Sequence, residues 1–188
     1  NLEGRTALVT GAGSGIGRAV AHKLAGCGAM TLVTDLRGEA AAEVAKEINA
    51  KCLKAKSYAM DMSDATAVNA VRDQIGTEGL QPDVLVNNAG WDILQPFIQT
   101  TPDFWRKVVD INYMGPINVS HAFMGHMIES GNGGRIVNIS SDAGRVGSSG
   151  ETVYAGAKGA VIAFTKSLAR ELARYKINVN CICPGPTD

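Results

Sequence analysis

Thr10-Gly11-Ala12-Gly13-Ser14-Gly15-Ile16-Gly17 is the stretch that decides the fold of this 188-residue chain. It follows the short apolar run Arg5–Thr10, which predicts a buried strand, and leads into Gly15–Cys27, where apolar residues recur at helical spacing. A glycine-rich turn from a strand into a helix gathers unpaired N–H groups at the positive end of the helix dipole. Because that arrangement suits a pyrophosphate, the loop predicts a dinucleotide site.

Each glycine of this loop has its own expected task. Gly11 permits the tight turn, Gly15 lets phosphates approach the backbone, and Gly17 lets helix and strand pack closely. A turn that uses glycine only for its conformational freedom is the alternative, but the strand-to-helix setting favours binding. The loop residues predicted to contact a cofactor are Gly11, Ser14, Gly15, Ile16 and Gly17.

Asp35 closes the second predicted strand, 18 residues beyond Gly17. A carboxylate at this position accepts hydrogen bonds from both hydroxyls of an adenosine ribose and repels a 2′-phosphate. It therefore predicts NAD rather than NADP as the cofactor. A surface aspartate at a strand end is the alternative, and Arg37 could offset the repulsion of a 2′-phosphate.

Strands and helices alternate along the rest of the chain. Most predicted strands are continuous apolar runs, which is typical of a parallel sheet covered on both faces. The predicted strands are Arg5–Thr10, Met30–Asp35, Ser57–Met60, Val84–Asn87, Arg135–Ser140 and Ile177–Ile182. The predicted helices are Gly15–Cys27, Ala40–Asn49, Ala65–Ile75, one from Thr101 past Met127, and Val153–Tyr175. This order predicts one doubly wound α/β domain over residues 1–188.

Composition narrows the function classes. Eighteen Lys plus Arg balance eighteen Asp plus Glu, so no charge footprint favours nucleic acid or an anionic membrane as a partner. No apolar run approaches the ~20 residues that cross a bilayer, and the chain opens without a signal-peptide pattern. Four sparse cysteines fit a reduced cytoplasm better than a disulfide framework. The chain stops in a turn just after a strand, which suggests a piece of a longer protein.

Four motifs, in order along the chain, carry a family resemblance. They are the glycine loop at 10–17, Asn87-Asn88-Ala89-Gly90, Tyr154-Ala155-Gly156-Ala157-Lys158 and Pro184-Gly185. On these motifs the chain resembles the short-chain dehydrogenases/reductases over essentially its whole length. The resemblance implies a Rossmann-type core, a nicotinamide cofactor and oxidation of an alcohol or reduction of a carbonyl.

Tyr154 and Lys158 are the centre of the expected chemistry. Four residues apart on a predicted helix, they share one face. A phenol titrates near pH 10, too high for a base at neutral pH. A nearby ammonium, together with the positive nicotinamide ring of the oxidised cofactor, favours the phenolate, so we expect a lowered pKa and a general base for alcohol oxidation. In the reverse direction Tyr154 is the expected general acid. A half-buried tyrosine beside a solvated lysine is the alternative that the resemblance disfavours.

Two polar residues complete the expected catalytic set. Ser141 ends the fifth strand and matches the family's serine, whose hydroxyl holds the substrate oxygen. Ser140 is a minor rival that faces the other side of the strand. Asn112 matches the family's helix asparagine, whose backbone carbonyl and a water link Lys158 to solvent, as the resemblance implies.

The resemblance also implies further cofactor contacts. Tyr154 and Lys158 would reach the nicotinamide ribose, and Asn88-Ala89-Gly90 lies where open α/β sheets bind ligands, although a tight turn is its plainer explanation. The remaining contacts carried over from the family are Asp61, Met62, Pro184, Gly185 and Thr187. The histidines His22, His121 and His126 lack partners with metal-ligand spacing, so no metal is predicted.

The loops after the fourth and fifth predicted strands bear on the substrate. Trp91 and Phe97 are candidates for an apolar wall and Arg145 for a carboxylate or phosphate contact; local packing and solvation are their alternatives. These loops are similar to those of 2-hydroxycyclohexanecarboxyl-CoA dehydrogenases. They predict an NAD-dependent enzyme for a hydroxyacyl-CoA thioester, with a 3-oxoacyl-(acyl-carrier-protein) reductase or a small secondary or cyclic alcohol dehydrogenase as alternatives.

Two further expectations concern the protein as a whole. The alternative from a different functional class is a nucleotide-binding subunit without catalytic activity. The presence of all the expected catalytic residues disfavours it. The two long helices that carry Asn112 and Tyr154 form a dimer interface in relatives, so the resemblance implies a homo-oligomer, either a dimer or a tetramer.

Overall fold

A computed structural model describes residues 1–186, so the expected contact at Thr187 lies outside the described residues. Six strands form one sheet in the order β3-β2-β1-β4-β5-β6, and all neighbouring strands run parallel. The strands are β1 (Thr6–Val9), β2 (Met30–Asp35), β3 (Ala55–Ala59), β4 (Val84–Asn87), β5 (Gly134–Ile139) and β6 (Ile177–Ile182). The prediction of a doubly wound α/β fold is confirmed.

Helices connect the strands. They are α1 (Gly15–Gly26), α2 (Gly38–Asn49), α3 (Ala65–Thr77), α4 (Pro102–Val109), α5 (Gly115–Glu129), α6 (Ala143–Val146) and α7 (Thr152–Leu172). A π-helical turn at Asp110–Met114 joins α4 to α5. Two short 3₁₀ turns lie at Phe97–Gln99 and Ala173–Tyr175.

The sheet is buried on both faces. In β1, Leu8 belongs to the apolar core under α3, α5 and α7, whereas its neighbour Val9 belongs to the core under α1 and α2. Since adjacent residues of a strand point to opposite faces, both must be apolar when both faces are covered. This explains why the strands read as continuous apolar runs.

The strand order reverses between β1 and β4. Chain connections run outward from this point in both directions, and such a switch point opens a crevice at the carboxyl ends of the strands. The loop that follows β1 and the loop that follows β4 meet there. Two backbone N–H groups, of Asn88 and Ala89, donate to the Thr10 hydroxyl over 3.0 and 3.1 Å.

Candidate active site

The glycine loop is built by close backbone contacts. Gly11 has φ +61°, and a Cβ there would lie 2.7 Å from the Ala89 Cα. At Gly17 a Cβ would contact the Gly11 carbonyl oxygen and lie 2.5 Å from the Asn88 Nδ2. Ser14 is the N-cap of α1 without a capping hydrogen bond from its side chain. The first turn of α1 therefore offers N–H groups to an anion, as the sequence predicts.

Asn88 fastens the loop after β4 to the glycine loop. Its side-chain amide donates to the carbonyl oxygens of Thr10 and Gly11 at 3.0 and 3.2 Å. Thr10 accepts hydrogen bonds from the loop after β4 at two groups: its carbonyl oxygen accepts the Asn88 side chain, and its hydroxyl accepts the backbone N–H groups of Asn88 and Ala89. Nothing in the sequence separately selects Thr10; its place as the first residue of the glycine loop is the available signal.

A cleft of about 1050 Å³ runs along the carboxyl edge of the sheet. Most of the predicted cofactor contacts line it: Gly11, Ser14, Gly15, Ile16, Asp35, Asp61, Met62, Asn88, Ala89 and Gly90. Gly17 lies beneath the loop and shapes it instead. Five residues of α4 and the π-helical turn that the sequence did not suggest also line the cleft: Asp103, Arg106, Lys107, Asp110 and Ile111.

The Asp35 carboxylate is oriented from two sides. One oxygen accepts the Gly13 N–H at 3.0 Å and the other accepts the Arg37 N–H at 3.0 Å. The Arg37 guanidinium approaches to 3.7 Å while its side chain stays largely exposed. The carboxylate thus lines the cleft in a fixed position, with an exposed cation beside it.

The loop after β3 is held from α5. Asp61 accepts both the N–H and the hydroxyl of Ser63, so its carboxylate shapes its own turn. Asn118 donates to the Met62 carbonyl oxygen at 3.1 Å, and Gly115 leaves room for the Met62 side chain, which a Cβ would meet at 2.5 Å. Asn118 is a supporting residue that the sequence gave no reason to select.

Lys158 is the most buried ionisable residue of the expected set. Only 2 % of it is exposed, and its ammonium donates to the Ile139 carbonyl oxygen at 3.0 Å. Burial lowers the pKa of the ammonium to about 8, and the thiol of Cys181 partly opposes that effect. The ammonium lies 5.5 Å from the centre of the Tyr154 ring, which confirms that both side chains share one face of α7.

Without a bound cofactor, the surroundings of Tyr154 raise the pKa of its phenol. Burial raises the pKa of its phenol, the Ser141 hydroxyl acts in the opposite direction, and the carboxylates of Glu151 and Asp92 raise it further. The ammonium of Lys158 is committed to the Ile139 carbonyl and does not offset these effects. The protein without a bound cofactor therefore keeps Tyr154 protonated near neutral pH.

Asn112 lies in the π-helical turn and is fully buried. Its side-chain amide donates to the Trp91 carbonyl oxygen at 2.6 Å and its oxygen accepts the Trp91 N–H at 3.2 Å. A Cβ at Gly90 would lie 2.9 Å from the Asn112 Oδ1 and 3.3 Å from the Lys158 Nζ. Gly90 thus lies where the cleft meets Asn112 and Lys158, two residues of the expected catalytic set.

The two serines at the end of β5 point in different directions, as strand alternation predicts. Ser141 accepts the Ala143 N–H at 3.2 Å and faces Tyr154. Ser140 is buried and donates to the Lys158 carbonyl oxygen at 2.8 Å. The candidate substrate-binding hydroxyl is therefore that of Ser141.

The loops after β4 and β5, which the sequence offers as candidates for substrate contacts, pack mainly against nearby residues. Trp91 lies 5.7 Å from the Phe104 ring and beneath the Lys107 ammonium at 3.9 Å, so it packs on α4. Phe97 stacks on Trp105 at 5.9 Å. Arg145 pairs with its neighbour Asp142 at 3.0 Å and stays exposed. These contacts favour local packing for Phe97 and solvation for Arg145, whereas Trp91 packs on α4 and also lines the cleft.

Asp92 and Glu151 are acidic residues of these loops that the sequence did not single out. Both border a small cavity between the loop after β4 and the start of α7. Burial raises the pKa of the Asp92 carboxyl, and Glu151 adds to that effect. The Asp92 Oδ2 is buried and accepts no hydrogen bond from residues 1–186.

The last described turn closes on the β5 loop. The Pro184 carbonyl oxygen accepts the Asp142 N–H at 2.9 Å, which places this turn beside Ser141. A Cβ at Gly185 would meet nothing within 4 Å.

Among the described residues, no three His, Cys, Asp or Glu side chains lie close enough together to bind a metal ion. No helix of residues 1–186 is long and apolar enough to cross a membrane.

Comparison with known proteins adds to this geometry. Residues 5–188 match the family model for short chain dehydrogenases. A 3-oxoacyl-(acyl-carrier-protein) reductase of Aquifex aeolicus is 39 % identical, covering 98 % of this chain and 74 % of the relative. A human (3R)-3-hydroxyacyl-CoA dehydrogenase is 37 % identical with the same coverages. The crystal structure of a metagenomic short-chain oxidoreductase in complex with NADP superimposes with a TM-score of 0.93 at 34 % identity, covering 99 % of this chain and 84 % of that one.

Proposed function

The chain belongs to the short-chain dehydrogenase family, and we propose that it is an NAD-dependent oxidoreductase that interconverts a secondary alcohol and a ketone through Tyr154. One observation carries the proposal. Ser141, Tyr154 and Lys158 converge at the carboxyl edge of the sheet, where Gly90 joins them to the cleft.

The residues of the cleft fit a dinucleotide. The open first turn of α1 would hold the pyrophosphate, because Gly15 faces open space with φ +53°. The Asp35 carboxylate would hold the adenosine ribose, and Lys158 the ribose at the other end. When bound, the nicotinamide supplies the hydride acceptor or donor.

Proton transfer belongs to the side chains of the chain itself. The Ser141 hydroxyl would donate to the substrate oxygen and share the charge that develops there. Tyr154 would take the hydroxyl proton during oxidation and return it during reduction. The Lys158 ammonium, positioned by the Ile139 carbonyl, would stabilise the phenolate and pass protons toward solvent along the Asn112 turn.

Asp35 supports NAD as the cofactor because a fixed carboxylate repels a 2′-phosphate. The NADP found in the metagenomic relative makes NADP the competing candidate, and Arg37 lies close enough to Asp35 to serve it. The preference is therefore a question for initial rates with both cofactors.

We further propose a hydroxyacyl thioester as the substrate, with a cyclic hydroxyacyl-CoA of the 2-hydroxycyclohexanecarboxyl type as the first candidate. The human relative named for hydroxyacyl-CoA supports this class. The Aquifex relative supports an acyl-carrier-protein thioester as the second candidate. A small secondary or cyclic alcohol is the third candidate substrate.

The same proposal includes the assembly and location of the protein: a homo-oligomer in the cytoplasm, with its four described thiols reduced.

Initial rates of NADH or NADPH formation test the proposal, using cyclic and linear hydroxyacyl-CoA thioesters, carrier-protein thioesters and free alcohols. We expect NAD-linked turnover of a thioester and a loss of about 100- to 10,000-fold in Tyr154→Phe. The matched control is Tyr175→Phe, in the 3₁₀ turn after α7. Turnover of free alcohols alone would overturn the thioester assignment. A fully active Tyr154→Phe variant would overturn the mechanism.

A further inference from the structure

Residue 158 is fixed to β5 at two separate atoms. The Ser140 hydroxyl donates to the Lys158 carbonyl oxygen over 2.8 Å, and the Lys158 ammonium donates to the Ile139 carbonyl oxygen over 3.0 Å. Ser140 is 3 % exposed, so this hydroxyl has no access to a bound substrate. It binds instead the backbone of Lys158, whose side chain belongs to the candidate active site.

The turn after Ser141 touches the same backbone from the other side. A Cβ at Gly144 would lie 2.7 Å from the Lys158 carbonyl carbon and 2.8 Å from the Gly159 nitrogen. Both atoms belong to the helix backbone, so neither can move aside without shifting α7. Only glycine allows α6 to pack this closely on α7.

We propose that Ser140 and Gly144 act as positioning residues: together they clamp the backbone of Lys158 against the turn that carries the Ser141 hydroxyl. The two clamp residues bracket that serine in sequence, and both contact the peptide group between Lys158 and Gly159 on α7. Any shift of the clamp therefore changes the distance between the serine hydroxyl and the side chains of α7. The inference rests on the proposed function for its catalytic consequence, whereas the clamp itself is a matter of contacts.

General attachment of α7 to the sheet is a different task, served by another pair. Asn138 donates to the Thr165 hydroxyl at 2.9 Å, about two turns further along the helix. Thr165 is buried to a similar degree as Ser140, with 4 % exposed. Thr165→Val is therefore the matched control for Ser140→Ala, because each removes one buried hydroxyl that links β5 to α7.

The decisive comparison measures kcat, its pH profile and the reactivity of Lys158 in both variants. We expect Ser140→Ala to lower kcat about 10- to 100-fold, since small misplacements of catalytic groups have effects of this size. We expect Thr165→Val to lose stability without this effect on kcat. Competitive acetylation of lysines, resolved by mass spectrometry over a pH series, reports on Lys158 without any turnover.

The titratable neighbours of Lys158 are Tyr154 on its own helix and Cys181 of β6, and neither group is removed by these substitutions. Thr165→Val takes one hydrogen bond from the Cys181 thiol, but burial raises the pKa of that thiol above its usual value, so it stays neutral at the midpoint of Lys158. We expect the acetylation midpoint of Lys158 to rise in Ser140→Ala, because a loosened lysine regains solvent, and to stay unchanged in Thr165→Val. Equal midpoints in the two variants would overturn the clamp, whether or not the enzyme turns over. If the wild-type protein turned over no substrate but Ser140→Ala still raised the acetylation midpoint of Lys158, the proposed function would be overturned and the clamp would stand.

Gly144→Ala provides the steric counterpart, with Gly125→Ala on α5 as its control because a Cβ there would meet nothing within 4 Å. We expect Gly144→Ala to lower both kcat and thermal stability, and Gly125→Ala to lower neither. Wild-type kcat in a folded Gly144→Ala variant would contradict the clamp.

Discussion

The Lys158 ammonium is hydrogen-bonded to the Ile139 carbonyl oxygen at 3.0 Å in a place that solvent barely reaches. Its pKa falls to about 8 because burial disfavours the charge. Burying this cation therefore costs the folded protein stability. The proposed mechanism needs the same cation near the Tyr154 ring, 5.5 Å away, so under the proposed function stability and catalysis place opposite demands on Lys158.

Replacing Lys158 by methionine should stabilise the protein at pH 7 while abolishing its turnover. A folded-state pKa of about 8 against 10.5 means that the charged lysine disfavours folding by roughly 3 kcal/mol below pH 8. The Ile139 carbonyl loses its donor in the variant, which costs about 1 kcal/mol. We expect a net gain of about 1–2 kcal/mol in the free energy of unfolding, measured with urea.

The stability difference between Lys158→Met and the wild type should depend on pH in a definite direction. Between pH 8 and 10.5 the unfolded lysine binds more protons than the folded one, so wild-type stability rises through this window and the advantage of Lys158→Met shrinks. Lys166→Met, an exposed lysine on the same helix, is the control and should show no such closing gap. A loss of stability at pH 7 would contradict the account.

Replacing Glu151 by glutamine should make Tyr154 a base at lower pH. The Glu151 carboxylate raises the pKa of the Tyr154 phenol, so removing its charge favours the phenolate. We expect the acid limb of the oxidation rate to move down by about half a pH unit, and the rate at neutral pH to rise. Full pH profiles of kcat/KM measure the shift. Glu171→Gln, exposed near the other end of α7, should leave the profile unchanged, and an upward shift in Glu151→Gln would refute the assignment.

The sheet was predictable where both faces are buried. Met30–Asp35 and Val84–Asn87 have the predicted limits, because such strands read as uninterrupted apolar runs. The edge strand β3 was placed two residues late at its start, since half of its side chains face solvent and dilute the pattern. The proximity of Tyr154 and Lys158 was also predictable, because helical spacing places them on one face, whereas their selection as site residues rests on the family resemblance.

The rest of the site depends on contacts that spacing does not encode. The predicted helix from Thr101 past Met127 contains a π-helical turn around Asn112, and an inserted residue leaves no clear trace in hydrophobic periodicity. The raised pKa of Tyr154 in the cofactor-free protein was not visible in the sequence, because it arises from burial and from the Glu151 and Asp92 carboxylates. Trp91 packs on α4 because its backbone is held by Asn112, a contact across 21 residues.

Replacing Asp35 by asparagine should shift the cofactor preference toward NADP. Asparagine keeps an oxygen that can accept the Gly13 N–H but removes the charge that repels a 2′-phosphate, and Arg37 becomes free to bind it. We expect the ratio of kcat/KM for NADP over NAD to rise at least about tenfold. Glu39→Gln removes an exposed carboxylate near the start of α2 and should change the ratio less than about twofold. A preference for NADP in the wild type would instead show that Arg37 already overrides Asp35.

Two glycines of α1 should respond oppositely to alanine. A Cβ at Gly17 would contact the Gly11 carbonyl oxygen and crowd the Asn88 amide, neither of which can retreat without opening the loop. We expect Gly17→Ala to lose about 1–3 kcal/mol of stability and to weaken NADH binding at least about tenfold, measured by thermal unfolding and fluorescence titration. Gly26 meets nothing within 4 Å, so Gly26→Ala should bind NADH normally and gain up to about 1 kcal/mol from helix propensity. If Gly17→Ala bound NADH as tightly as the wild type, the close contact between loop and helix would be a packing feature that the cofactor does not need.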